Sequence, residues 1–194
     1  MPSAPRLTPA TPLAPLTPPT GEPQFRQVDL AVDRDAVFGL TVEYMRWVAD
    51  GINPLIEAAG ATPPPGTVED QVAGSLDAMY GKAPPDGVFY LVEHNGTLAG
   101  MCGLRRIAPR TAEFKRIYVR PTHRGLRLGE AMMNRLIDDA RAFGCDTAVL
   151  DSAPFMQAAH RLYAAAGFAD CPPYLGSEAP QALMAVWRFM QRRL

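Results

Sequence analysis

Apolar residues recur every three to four positions in four stretches of the chain, and this period predicts four amphipathic helices. The predicted helices cover 33–51, 68–81, 128–143 and 152–167. A glycine stands at or directly after the end of each one, where helices commonly stop. In the fourth helix, Ser152 is the expected N-cap and Pro154 lies in the expected first turn.

Runs rich in β-branched and aromatic residues lie between these helices and predict strands. Two of them, 88–94 and 97–107, flank Asn95-Gly96, a dipeptide that suits a two-residue hairpin turn. A third run, 111–119, follows after a short link, so we expect the three strands to form an antiparallel meander. Shorter strands are predicted over 25–30, 146–151 and 181–190.

The order of these elements predicts an α+β fold with a mixed sheet. The helix over 128–143 lies between the strands over 111–119 and 146–151. A crossover of this kind makes the two strands parallel, whereas the meander before it is antiparallel. A chain of 194 residues is long enough to bury the core of one domain, and no internal repeat is visible.

The first 24 residues differ from the rest in composition. Eight of them are proline, mixed with threonine and alanine, which favours polyproline II and cannot supply a core. We therefore expect a flexible or extended tail over 1–24 and a folded domain over 25–194. Neither a secretory signal nor an apolar run near the ~20 residues that span a bilayer is found, so no membrane partner is expected.

Charge and cysteine content narrow the class of protein. A formal net charge of -1 argues against a nucleic-acid partner, because such proteins carry a basic excess. The three cysteines, Cys102, Cys145 and Cys171, are odd in number and widely spaced, so we expect no disulfide framework. Because free cysteines are typical of a reducing compartment, we expect a cytoplasmic location. The three histidines are scattered in the same way, and we expect no metal site.

The segment VRPTHRGLRLGEAMM, Val119 to Met133, places glycines and arginines directly before the third predicted helix. A helix N-terminus offers unpaired N–H groups and about half a positive charge to an anion. Gly125 and Gly129 would let the backbone turn tightly, and the arginines would attract a phosphate. The segment has neither the P-loop ending nor the G-x-G-x-x-G pattern. On these residues alone, a phosphate site and a plain strand-to-helix turn are both open.

The longer run KRIYVRPTHRGLRLGEAMMNRLIDDARAFG resembles the acyl-CoA-binding motif of the GNAT superfamily of N-acetyltransferases. In that family's loop pattern, Arg/Gln-x-x-Gly-x-Gly/Ala, Arg124 matches the first position and Gly129 the last, whereas Arg127 replaces the usual glycine. LYAAAGF, Leu162 to Phe168, resembles the family's second signature, Leu-Tyr followed by Gly-Phe. The stretch that begins VLDSAPFM is similar to a bacterial branch with an "LDT-x-P-S-M" start to this helix.

The resemblance covers Phe25 to about Met190 and implies a single GNAT-like domain, whose parallel strands splay apart and are flanked by helices. Backbone amides of the loop would hold the pyrophosphate of acetyl-CoA, and the pantetheine arm would lie between the splayed strands. For main-chain contacts we expect Arg127 to keep a negative φ, since a left-handed arginine is strained. The cofactor-binding residues implied are Tyr118, Val119, Arg124, Gly125, Leu126, Arg127, Leu128 and Gly129.

Two further residues have catalytic roles implied by position. Tyr163 stands where the family's tyrosine protonates the departing coenzyme A thiolate, and the alternative is aromatic packing at a helix end. Glu113, six residues before Val119, stands where histone-type members carry a catalytic base. Pairing of Glu113 with Lys115 or Arg105 explains the residue equally well. Alternation along the strand places Glu113, Lys115, Ile117 and Val119 on one face.

The acceptor is expected to be a primary amine of a small molecule, and the resemblance places its wall within Val37 to Tyr80. Tyr44, Trp47 and Tyr80 either line that wall or belong to the core. His160 shares a helical face with Tyr163 and is expected at the surface. Two alternatives for function remain: a non-catalytic acyl-CoA-binding sensor, or an N-acetyltransferase of proteins or peptides. A homodimer is left open.

Overall fold

The structure, a computed structural model, describes residues 21–194. Of the predicted tail over 1–24, the first twenty residues lie outside this range, and Gln24 already belongs to a strand. The helices of the described range are α1 (Leu30–Ala58), α2 (Val68–Tyr80), α3 (Leu128–Ala142) and α4 (Gln157–Ala165). The strands are β1 (Gln24–Gln27), β2 (Gly87–His94), β3 (Thr97–Ala108), β4 (Thr111–Val119), β5 (Thr147–Ser152), β6 (Ala169–Asp170) and β7 (Arg188–Arg193).

The seven strands form one mixed sheet in the order β1-β2-β3-β4-β5-β7-β6. The predicted α+β fold and the meander of β2, β3 and β4 are confirmed, and Asn95 and Gly96 take the positive φ values of the predicted hairpin turn. β4 and β5 are the parallel pair, and they are paired only from Thr111 to Glu113 on β4. Beyond Glu113 the two strands diverge, which leaves one side of β4 open as far as Val119.

A bulge in β4 lies just beyond the point of divergence. Cys102 on β3 faces two residues of β4, Arg116 and Ile117, and Arg116 has a φ of 56°. A bulge of this kind reverses the alternation of side chains that follow it. The prediction that Glu113, Lys115, Ile117 and Val119 share one face is therefore wrong. Ile117 packs instead with the core residue Phe114, on the opposite face from Glu113.

The helices cover both faces of the sheet. α1 and α2 pack on one face, where Leu40 and Leu76 are fully buried, and α3 and α4 pack on the other, around Met132 and Leu136. α2 has the predicted bounds, and its first turn is capped by Thr67. The sheet thus separates two cores, and the opening between β4 and β5 is a gap in that separation.

Helix α1 continues seven residues past the glycine that was predicted to end it. Gly51 lies inside the helix, and a Cβ at this position would overlap the ring of Phe155. The glycine therefore serves the close approach of an aromatic ring, not helix termination. Pro54, one turn later, is tolerated because the carbonyl that loses its partner belongs to the exposed Asp50.

The starts of two later elements also differ from the prediction. Ser152 ends β5 by pairing with Arg188, so α4 begins at Gln157, five residues later than predicted. The last strand is confined to Arg188–Arg193, because a 3₁₀ turn over Gln181–Leu183 occupies the start of the predicted range. Gly167 ends α4 in the left-handed conformation, as predicted.

Candidate active site

A cavity of about 260 Å³ lies in the opening between β4 and β5. It passes through the sheet, because its lining includes Tyr44 and Trp47 from α1 in one layer and Ala159 and Tyr163 from α4 in the other. The polar lining comes from β4, from the end of β5 and from the irregular segment 171–187 before β7. These polar residues are Glu113, Lys115, Arg116, Asp151, Ser152, Glu178 and Trp187. We call this the central cavity.

Tyr163 lies on the α4 side of the central cavity and is 7% exposed. Burial raises the pKa of its hydroxyl well above the ordinary value, and Tyr44 and Asp151 add to that shift. The side chain also packs near Phe168, whose ring centroid is 6.4 Å away. Tyr163 is thus a neutral phenol that presents an O–H donor to the cavity and has aromatic packing on its other side.

Glu113 is fully buried beneath the central cavity and is held by three donors. Its Oε2 accepts from Arg105 Nε at 2.5 Å, and its Oε1 lies 3.4 Å from Lys115 Nζ. The Tyr174 hydroxyl donates to Oε1 at 3.0 Å. This is the ion-paired arrangement that the sequence left open as an alternative, while the role of Glu113 as a base stays a prediction.

Asp151, at the end of β5, has neutral donors around its carboxylate. Oδ2 accepts from Ser177 Oγ at 2.9 Å, and Oδ1 accepts from Trp187 Nε1 at 3.1 Å. Oδ2 also lies 3.2 Å from the Tyr174 hydroxyl, whose one hydrogen is shared between Asp151 and Glu113. Burial and the carboxylates of Asp151 and Glu113 raise the pKa of Tyr174, so this hydroxyl stays protonated. Sequence reasoning missed Asp151, although a polar residue at the carboxyl end of a parallel strand is a usable signal.

Glu178 was also missed, and it lies among three cations on the rim of the central cavity. Its carboxylate is 3.0 Å from Lys115 Nζ, 3.4 Å from Arg105 Nη2 and 3.8 Å from Arg116 Nη2. Although burial opposes it, these cations hold the pKa of Glu178 below its ordinary value. The stretch 171–180 around Glu178 was predicted to be neither helix nor strand, so its contacts to the cavity could not be read from a pattern.

Aromatic side chains of α1 form the other wall of the central cavity. Tyr44 and Trp47 line it, and their rings lie 5.4 and 6.0 Å from the ring of Tyr118. The guanidinium of Arg116 lies over the Tyr44 ring at 5.4 Å. Tyr80 belongs to the core instead, where its hydroxyl is 2.6 Å from Thr41 Oγ1.

The loop before α3 forms a second groove, which we call the loop groove. It is lined by Val119, His123, Arg124, Gly125, Arg127, Leu128, Gly129, Glu130 and Leu162. Five consecutive backbone amides, from Gly125 to Gly129, donate no hydrogen bond to any residue that the structure describes. They surround the N-terminus of the 15-residue helix α3, where the helix dipole is positive. The loop groove is therefore suited to an anion.

The loop groove and the central cavity follow the same two elements. Val119 lines the former and Ile117 the latter, on one face of β4 about 7 Å apart by the rise of a strand. On α4, Leu162 lines the loop groove and its neighbour Tyr163 lines the central cavity. Tyr118 points to the α1 layer, where its hydroxyl donates to Glu43 Oε1 at 2.9 Å and its pKa is raised to about 12, mainly by burial. An extended molecule can thus run along β4 from the loop groove to the cavity.

Arg127 contradicts the expectation of a negative φ. It is the residue before α3 and adopts φ 58° and ψ 17°, the left-handed region that the family's usual glycine enters without strain. Its side chain turns outward and pairs with Glu130, with Nε 2.9 Å from Oε2. Arginine therefore supports the same backbone path as glycine, but at the cost of local strain.

Replacing Arg127 by glycine is expected to raise the melting temperature by a few degrees, because the strain at a left-handed position is removed. The matched control is Arg161→Gly, an exposed arginine inside α4, where glycine should lower the melting temperature. Thermal unfolding of both variants followed by circular dichroism checks the sign. Equal destabilisation in the two would contradict the left-handed assignment.

Other candidate residues lie outside the site. His160 is buried, contrary to the surface position expected, and lines a different groove beside Trp187. Cys102 and Cys145 are buried, and the described lining of the central cavity contains no cysteine. Within residues 21–194, no group of three histidine, cysteine or acidic side chains could hold a metal ion. No helix in that range is both long enough and apolar enough to cross a membrane.

Comparison with known proteins gives consistent matches. The model of the acetyltransferase (GNAT) family matches residues 57–168. An uncharacterized N-acetyltransferase of Schizosaccharomyces pombe is 32% identical over 118 residues, which are 60% of this chain and 71% of that protein. The IAA acetyltransferase of Azospirillum brasilense is 34% identical over 114 residues, 58% and 71% of the two chains. The structure of PaiA N-acetyltransferase of Thermoplasma acidophilum in complex with coenzyme A superposes with a TM-score of 0.62 at 15% identity, covering 89% and 99% of the two chains.

Proposed function

Because the chain belongs to the GNAT family of acetyltransferases, we propose that it transfers an acetyl group from acetyl-CoA to a primary amine of a small molecule. The observation that carries this proposal is the run of unpaired amides from Gly125 to Gly129, next to a cavity that opens between β4 and β5. An anion site and a catalytic cavity joined along one strand match the shape of an acyl-CoA, which has a pyrophosphate at one end of an extended arm and a thioester at the other.

The loop residues Arg124, Gly125, Leu126, Arg127, Leu128 and Gly129 would hold the pyrophosphate by main-chain N–H groups and by the α3 dipole. Arg124 is anchored beside them: its Nε donates to the Val119 carbonyl at 3.3 Å, and its guanidinium lies over Trp47. The backbone of β4 at Tyr118 and Val119 is not paired with β5 and is free to bind an extended arm like an added strand. Acetyl-CoA bound there would supply the activated thioester.

Tyr163 is the residue that we assign to protonate the departing sulfur. Tyr163 lines the cavity, and burial keeps its hydroxyl protonated at neutral pH, so that it can give its proton to the sulfur as a proton of the attacking nitrogen replaces it. A general acid must hold its proton at the working pH and release it in the transition state. A thiolate leaving within reach of this O–H would meet that condition.

The size of the central cavity supports a small acceptor. Its volume of about 260 Å³ lies near the lower end of the roughly 300–1,000 Å³ found for small-molecule sites, which suits a short amine. The acceptor would approach from the α1 layer, along Tyr44 and Trp47, while the thioester enters along β4. The two substrates would then meet in the opening through the sheet.

Gly129→Asp is expected to weaken coenzyme A binding at least about tenfold, which is about 1.4 kcal/mol. Its Cβ would lie 3.1 Å from Leu162 Cδ2, and its charge would face the phosphates. An acidic residue in the first turn suits a helix, so the fold should survive. Gly129→Asn is the matched control, because it has the same size without the charge. Isothermal titration should rank affinity as wild type, then Asn, then Asp, and unchanged affinity in the Asp variant would contradict the phosphate site.

A thiol-release assay tests the function itself. We expect acetyl-CoA to release coenzyme A in the presence of at least one primary amine among polyamines, amino acids and aminoglycosides, with an acetylated product of the matching mass. Release of coenzyme A with peptides alone would indicate that the acceptor is a protein or peptide. Tight coenzyme A binding with no release on any amine would indicate a sensor and overturn the proposal.

A further inference from the structure

We propose that Asp151 binds the protonated amine of the acceptor and takes up its proton, so that the acceptor is a cationic alkylamine. The inference rests on the acetyl-transfer function proposed above and names the substrate class of the same site. The base would then be Asp151 on β5, whereas the sequence resemblance places the base at Glu113 on β4.

The sheet register places Asp151 closer to the opening than Glu113. Glu113 on β4 and Val149 on β5 form the last residue pair between the two strands, which diverge beyond it. Asp151 lies two residues farther along β5, about 7 Å deeper into the opening by the rise of a strand. Leu150 belongs to the core under α3 and α4, so Asp151 points to the other face, where the acceptor would enter.

The charges around the cavity distinguish Asp151 from the other two carboxylates. Glu113 is paired with Arg105 and Lys115, and Glu178 is paired with Lys115 and Arg116. Within residues 21–194, no lysine, arginine or histidine nitrogen lies within 4.0 Å of the Asp151 carboxylate. Its negative charge is therefore the one that reaches the cavity without a neighbouring cation to neutralise it.

The hydrogen bonds of Asp151 also leave room for an ammonium group. A carboxylate has about four acceptor sites, and two are used in full, by Ser177 and Trp187. Oδ2 also lies 3.2 Å from the Tyr174 hydroxyl, whose one hydrogen is shared with Glu113, whereas Oδ1 receives only the indole N–H of Trp187. Oδ1 can therefore accept an N–H of the incoming amine, while the bonds from Ser177 and Trp187 fix the carboxylate in place.

The proton transfers then balance. The bound ammonium gives one proton to Asp151, and the neutral amine nitrogen forms a bond to the acyl carbon as the carbon–sulfur bond breaks. The Tyr163 hydroxyl gives its proton to the leaving sulfur, and the second proton of the nitrogen restores the tyrosine. The products are an amide and a thiol, and the proton on Asp151 returns to solvent.

The test compares wild type with Asp151→Asn on two sets of acceptors. Benzylamine, putrescine and spermidine are protonated at neutral pH, whereas aniline and 4-aminobenzoate carry neutral amino groups. We expect wild type to prefer the first set, and Asp151→Asn to lose about 100-fold in kcat/KM on that set while changing little on the second. Asp170→Asn, an exposed aspartate paired with Arg188, is the control and should behave as wild type.

A second measurement does not depend on a folded variant. Benzyltrimethylammonium should compete with the alkylamine for wild-type enzyme, whereas the uncharged benzyl alcohol should not. Wild-type preference for the neutral amines, an equal loss on both sets in Asp151→Asn, or equal inhibition by the two benzyl compounds would overturn the inference and leave the acetyltransferase intact. No turnover on either set would overturn the proposed function, and the inference with it.

Discussion

Replacing Tyr163 by phenylalanine is expected to lower kcat about 100-fold, the usual contribution of a positioned general acid. The dissociation constant of coenzyme A should stay within about twofold of wild type, since the proposed phosphate contacts lie on the loop before α3. Phenylalanine keeps the ring and its packing against Phe168, so the variant removes the acid and little else. Steady-state thiol release and titration with coenzyme A measure the two quantities.

The matched control for this variant is Tyr80→Phe. Tyr80 also has a buried hydroxyl, which bonds to Thr41 in the core, and Tyr80 is not among the residues that line the cavity. Its removal should lower the free energy of unfolding by about 1 kcal/mol and leave kcat unchanged. Full activity of Tyr163→Phe would remove Tyr163 from the mechanism and return it to the aromatic-packing alternative.

Glu113→Gln is expected to lower the free energy of unfolding by about 3–5 kcal/mol, the usual loss when one partner of a buried ion pair is removed. Glutamine would remove the buried carboxylate that Arg105 and Lys115 share and leave these cations only the half-exposed Glu178. The double variant with Arg105→Gln should recover part of the loss. Asp146→Asn, which breaks the exposed pair with Arg110, should leave the melting temperature nearly unchanged. Denaturant titration of these variants gives the comparison.

The same variant separates the two hypotheses for Glu113. Measured on the folded fraction, kcat of Glu113→Gln should stay within about tenfold of wild type, because the proton of the amine goes to Asp151. A 100-fold loss of kcat, in a variant that is as stable as wild type, would contradict the assignment of the base to Asp151. Glu113 would then be the base, and its ion pairs would be incidental.

Much of the fold follows from local signals in the sequence. The helical period in α2 and α3, the Asn95-Gly96 turn and the glycine after α4 each act within a few residues, so their predictions hold. The bulge at Arg116 has no such signal, because a left-handed residue other than glycine is stabilised by its surroundings and not by its own propensity. That one residue reversed the predicted face of every side chain between it and Val119.

The candidate site was predictable where it follows one element and not where it joins several. The loop before α3 was located by its glycines and its helix, although Arg127 took a backbone conformation that its side chain disfavours. Glu178 lies in the segment 171–187, and Asp151 on β5 is held by Ser177 and Trp187 of that segment, whose position depends on long-range contacts to β4 and β5. The pairing of each carboxylate, which decides its chemistry, is a property of the folded molecule.

Amide hydrogen exchange tests most directly whether β4 and the loop together hold acetyl-CoA. The unpaired amides from Gly125 to Gly129 and the open side of β4 from Lys115 to Val119 should exchange fast in the free protein and slow on addition of coenzyme A. Peptides from α2, which touches neither groove, serve as the internal control and should not change. We expect protection in both the loop and β4. Binding of coenzyme A without protection in these two segments would contradict it.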